Sequence, residues 1–175
     1  QTSFTSDISV NGLTIGTGSG DISTNTSIGY QALTSNTTGN HNVANGYQAL
    51  FSNTSGQQNT ANGAYALYLN KGGWGNTANG VSALLSNDSG DYNVANGFNA
   101  LSTNTSGNYN VANGASALYN NTGDYNVANG ASALYNNTGD NNTANGYQAL
   151  YSNIDGSNNT ANGYQALYSN IDGSN

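Results

Sequence analysis

The tripeptide Ala-Asn-Gly begins at Ala44, Ala61, Ala78, Ala95, Ala112, Ala128, Ala144 and Ala161, at successive intervals of 17, 17, 17, 17, 16, 16 and 17 residues. A looser copy, Ser27-Ile28-Gly29, stands another 17 residues before Ala44. Self-similarity at a short fixed period marks a chain that stacks one unit on the next, and it narrows the fold more than any other feature here. A helix pair needs about 33 residues per unit, so a unit of 16 or 17 is too short for a helical array. One copy per coil of a parallel β-solenoid, or β-roll, fits. The expected fold class is therefore all-β. Nine coils span residues 25–175, and residues 1–24 form a short N-terminal β segment, read as a lead-in or docking strand.

Within each copy some columns never vary. One is glycine, from Gly29 to Gly163, and a second glycine closes each copy, from Gly39 to Gly173. An unbroken alanine column, Ala32 to Ala166, is followed at once by Leu33, Leu50, Leu67, Leu84, Leu101, Leu118, Leu134, Leu150 and Leu167. Stacked in register, these leucines become the core stripe, with alanine filling the tight space beside them. Asparagine recurs before the Val/Thr-Ala pair, from Asn42 to Asn159, and after it, at Asn45, Asn62, Asn79, Asn96, Asn113, Asn129, Asn145 and Asn162. Such columns predict ladders of side-chain amides that donate and accept coil after coil. Each copy should hold two short extended pieces, as at Asn142–Ala144 and Tyr147–Tyr151, the latter for its aromatic and apolar content. Asn-Gly and Ser-Asn-x-x-Gly supply the turns. At about 4.8 Å per coil the rod should measure roughly 43 Å.

Low hydropathy with much Asn, Gly and Ser normally signals disorder, but the strict ordering of the columns argues for a packed array. Aromatic residues form two further semi-regular columns: Tyr30, Tyr47, Phe98, Tyr147 and Tyr164, and Phe51, Tyr68, Tyr119, Tyr135, Tyr151 and Tyr168. Stripes of that size tend to mark contact surfaces, so self-association into a homo-oligomer or filament is expected.

Charge excludes whole classes of partner. Lys71 is the only basic side chain other than His41, eight residues are acidic, and the net charge is −7. Nucleic acid and anionic lipid need clustered Lys or Arg and are excluded as partners. No run of about 18 apolar residues occurs, so membrane insertion is not expected. The absence of Cys removes disulfides and thiolate metal sites. A start at Gln1 without Met fits a product after signal removal or a piece cut from a longer protein. Together with low charge and abundant Asn, Ser and Thr, it suggests an extracellular setting: secreted, on a cell surface, or on a virion.

Catalytic chemistry has little to work with. His41 occupies a turn slot filled elsewhere by Gln58, Tyr92 and Tyr109, and no Ser-His-Asp or Cys-His set can be assembled from it. The aspartates Asp88, Asp91, Asp124, Asp140, Asp155 and Asp172 lie singly in turns, without the dense spacing of calcium β-rolls. No enzyme, catalytic residue or cofactor is expected, a weak Ca2+ site at a turn being the one metal option left open. One turn departs from the pattern: Lys71-Gly72-Gly73-Trp74-Gly75 holds the only Lys and the only Trp. Lys71 and Trp74 are the candidate contact tip, set against the simpler reading of a drifted turn.

The unit Asn142 to Asn153, Asn-Thr-Ala-Asn-Gly-Tyr-Gln-Ala-Leu-Tyr-Ser-Asn, resembles repeats of phage tail fibres and of bacterial surface fibres. It is also similar to the β-roll head repeats of trimeric autotransporter adhesins. The stretches Ile8–Gly16 and Asp21–Thr26 resemble the lead-in such fibres place before their repeats. The resemblance implies a three-chain rod. One departure stands out: the family usually has an apolar residue between the Ala and the Gly, as at Ile28, whereas every later copy has Asn. The expected function is a structural extracellular fibre element, a subunit or shaft that self-associates as a head-to-tail filament or trimeric rod. The alternative is an adhesin or tail-fibre module that binds a host surface or cell-surface glycans. A third is an ice-binding solenoid, from the column Val43, Thr60, Thr77, Val94, Val111, Val127, Thr143 and Thr160.

Overall fold

A computed structural model describes residues 7–11, 13–20 and 22–174; residues 1–6, 12 and 21 of the lead-in, and Asn175, lie outside the described residues. Every regular element among the described residues is a strand, and no helix is long and apolar enough to cross a membrane. The chain is a β-solenoid of stacked parallel coils.

The lead-in enters as a hairpin. Strand β1 (Ile8–Val10) pairs antiparallel with β2 (Leu13–Gly16), and β2 pairs antiparallel with β3 (Thr26–Ile28). From β3 onward the same sheet continues as a parallel ladder. It runs through β4 (Val43–Asn45), β5 (Thr60–Asn62), β6 (Thr77–Asn79), β7 (Val94–Asn96) and β8 (Val111–Asn113). The two-residue strand β9 (Asn120–Asn121) belongs to a second sheet. The first sheet resumes with β10 (Val127–Asn129), β12 (Thr143–Asn145) and β14 (Thr160–Asn162). The second sheet joins β9 to β11 (Asn136–Asn137), β13 (Ser152–Asn153) and β15 (Ser169–Asn170). Register is strict, Val43 facing Thr60, Ala44 facing Ala61 and Asn45 facing Asn62, so identical columns do stack.

The three-residue strands follow from strand geometry. Successive side chains point to opposite faces, so the central Ala goes inward and its neighbours outward. Ala44, Ala78, Ala95 and Ala144 are all fully buried. A coil of 16 or 17 residues must also turn through a full circle, and the corners do that. Gly80 sits at φ +142, and a Cβ there would meet the carbonyl oxygen of Gly97 at 2.5 Å. Only glycine serves in that column.

The Tyr147–Tyr151 segment is not the strand its composition predicts. It is a turn, with Gln148 at φ 54 and Leu150 at φ 49. The same pair of left-handed residues recurs coil after coil, as at Gln48 and Leu50 or Ser82 and Leu84. Hydrogen bonding to neighbouring coils nevertheless persists around the bend. Ser82 donates its N–H back to the Ala64 carbonyl at 2.9 Å, and Leu84 donates onward to the Ala100 carbonyl at 2.9 Å. Left-handed backbone costs a bulky residue roughly 1–2 kcal/mol. Full burial of its side chain returns about 1.5–3 kcal/mol, so the leucine column can hold its own corner in place.

Eight of the nine predicted core leucines, Leu33 to Leu150, are fully buried. The ninth, Leu167, is 52% exposed, because no described coil covers it. At the other end Leu33 is sheathed by the lead-in: Ser19 donates its N–H to the Leu33 carbonyl at 3.1 Å.

Candidate functional site

Much of the interior is amide. The Asn42 column is buried and acts as a staple between coils. Asn76 shows the pattern: its Oδ1 accepts the backbone N–H of Asn93 at 2.9 Å, and its Nδ2 donates to the Gly90 carbonyl at 2.8 Å. A second buried column, Asn36 to Asn153, lies in the closing turn. There Asn70 Nδ2 donates to Asn53 Oδ1 at 2.8 Å, and Asn87 Nδ2 to Asn70 Oδ1 at 2.8 Å. The closing glycine beside it is kept small by these amides, since a Cβ at Gly56 would meet Asn70 Nδ2 at 2.6 Å. Among the described residues no buried side-chain nitrogen or oxygen lacks a partner.

The column singled out from sequence, Asn45 to Asn162, forms a third ladder on the outer face of the first sheet. Its amide contacts start at Asn62, whose Nδ2 donates to Asn79 Oδ1 at 2.9 Å. They run through Asn96, Asn113, Asn129 and Asn145 to Asn162, each at 2.7–2.8 Å. The Val43/Thr60 column flanks it on the same face. This Asn column therefore faces outward.

Aromatic rings stack on the coil repeat. Tyr119, Tyr135, Tyr151 and Tyr168 lie with ring centroids 5.0–5.1 Å apart and planes within 8°. Phe51 stacks on Tyr68 at 5.1 Å, Tyr30 on Tyr47 at 5.6 Å and Tyr147 on Tyr164 at 5.5 Å. A further stack, Tyr92, Tyr109 and Tyr125 at 5.0–5.1 Å, rises from the His41 slot. Recurrence of Tyr in that slot of three successive copies was the signal for it. Loss of surrounding water, reinforced by neighbouring phenols, raises the ionisation of Tyr47 and Tyr151 above the ordinary phenol range.

Lys71 and Trp74 diverge despite their proximity in sequence. Lys71 Nζ lies 3.2 Å from Asp88 Oδ1 in the next coil, with both side chains more than half exposed, and such a pair is worth little. Trp74 instead caps the tyrosine stack, its ring centroid 5.5 Å from that of Tyr92. The Tyr92 ring lies close beside Gly75, where a Cβ would come within 2.8 Å of Tyr92 Cδ1. Trp74 also donates its backbone N–H to Asp91 Oδ1 at 2.7 Å. Trp74, Asp91, Gln57, Ser55 and Gly72 bound an open groove of about 350 Å³. A second cleft, of about 430 Å³, lies where the lead-in crosses the first coil, beside Asp7, Tyr30 and Gln31.

Several other titratable groups have structural partners. His41 Nδ1 is 2.7 Å from Asn40 Oδ1 in its own turn. Asp124 accepts the N–H of Asn108 at 2.7 Å, and Asp140 that of Asp124 at 2.8 Å. Among the described residues no three His, Cys, Asp or Glu side chains converge as metal ligands would. Comparison with family models, with curated proteins and with solved structures finds no match.

Proposed function

We propose that this chain is a structural element of an extracellular fibre, a stiff shaft that associates with copies of itself. The observation that carries this reading is the set of amide ladders. Each buried amide is satisfied by the coil above or below it, so the chain gains its order along one axis. Stability in such an array is a sum of coil terms and nearest-neighbour terms, which suits a part whose task is length and stiffness. The aromatic stacks support self-association. Tyr147 and Tyr164 are about half or more exposed, and aromatic stripes of this kind favour burial against another surface.

Electron microscopy of the purified chain, with its mass in solution measured alongside, tests the reading. Long unbranched filaments, or discrete rods with the mass of several chains, are the expected outcomes. A monodisperse single-chain mass across the micromolar range, with isolated short particles, would sink self-association.

A further inference from the structure

We infer that the turn Lys71–Gly75 builds a binding site for a neutral, β-gluco-configured saccharide, with Trp74 as its platform. This assignment stands apart from the fibre reading, since a lone monomer would carry the same groove. It starts from where the repeat is broken. In the slot of Trp74 the other coils carry only polar residues, among them Asn40, Gln57, Asp91, Asn108 and Asp124. In the slot of Gly72 they carry Thr38, Ser55, Ser89 and Ser106.

Gly72 is not demanded by the backbone. Its φ lies outside the left-handed region, and a Cβ there would have only Ser55 Oγ nearby, at 3.8 Å. A glycine that avoids no clash and serves no special conformation leaves empty the space a side chain fills in other coils. Gly75 differs, because it lets the Tyr92 ring come close beside it and so holds a ledge beside Trp74. One glycine opens the groove and the other supports its wall. Trp74 remains 39% exposed with this support.

The lining selects the ligand. An indole face takes up flat apolar surface, which a pyranose with all-equatorial hydroxyls offers through its axial C–H groups. Around the ring edge such a sugar presents hydroxyls that donate to the Asp91 carboxylate and exchange hydrogen bonds with the Gln57 amide and Ser55 hydroxyl. A few convergent polar groups beside an aromatic wall, in a space of this size, is the usual make-up of a small-ligand site. Acidic sugars are disfavoured by the net charge of −7 and by Asp91 in the groove.

Ligand-observed NMR on the full chain, with cellotriose and triacetylchitotriose as probes, decides the matter. Saturable binding in the millimolar range is expected for at least one of the two. Trp74→Asn and Gly72→Ser each restore residues that other coils accommodate, so both should fold with unchanged thermal melts. Each should weaken binding about tenfold or more. Lys71→Thr should leave binding unchanged. Absence of saturable binding by either trisaccharide overturns the site, and so does undiminished binding in the Trp74→Asn and Gly72→Ser chains. Binding of tetramethylammonium in place of either sugar would reassign the groove to a cation held by the aromatic face.

Discussion

At the scale of single residues, the buried amides have least room for change. Asn76→Ala would strand the N–H of Asn93 inside the coil and would leave the Gly90 carbonyl with one amide donor, Asn87 Nδ2, in place of two. The orphaned donor costs about 1–3 kcal/mol and the lost hydrogen bond about 0.5–1.5 kcal/mol, so denaturant melts should show a loss of about 2–4 kcal/mol. Asn79→Ala, three residues further on and part of the exposed ladder, should cost well under half as much. Equal losses would mean that burial does not govern the ladders. The tyrosines set a limit of another kind. Tyr47 and Tyr151 release their protons at higher pH folded than unfolded. Their contribution is complete below the ordinary phenol value of about 10 and is lost as pH rises through the raised folded values. The melting temperature should therefore fall above about pH 10, and Tyr47→Phe with Tyr151→Phe should soften that fall. Identical alkaline profiles for the two chains would refute the assignment.

At the scale of the element, the unit is the coil, and its ends need not behave alike. Strand β3 is covered by the lead-in hairpin, whereas β14 is the edge of its sheet. Hydrogen exchange should protect the amides of β6 to β10 most, those of β3 nearly as much, and those beyond β14 least. Equal protection at both ends of a monomeric sample would contradict the capping role of the hairpin. Much of this element was legible in the sequence. The 17-residue interval gave the coil, the extended piece placed at Asn142–Ala144 fell one residue short of β12 at Thr143–Asn145, and the buried Leu33 to Leu150 stripe followed from an invariant column. The corner was not legible. Tyr147–Tyr151 has the residues of a strand, and composition does not reveal that Gln148 and Leu150 are left-handed. That conformation is imposed by closure of the coil, a constraint that no single copy displays. Trp74 was visible as an oddity from the start. The groove beneath it was not, because its other walls, Ser55 and Asp91, come from the coils on either side.

At the scale of the whole molecule, the rod is a set of parallel ladders, and their directions matter. Along the outer face each Asn donates toward the following coil, as Asn62 does to Asn79. In the closing turn each donates toward the preceding one, as Asn70 does to Asn53. The two rows of amide dipoles therefore point in opposite senses along the axis. In an α-helix the peptide dipoles add, and fractional charge collects at the ends. Here one row offsets the other, and each added coil contributes a pair that nearly cancels. Lengthening the rod through these two rows therefore builds up little potential between its tips.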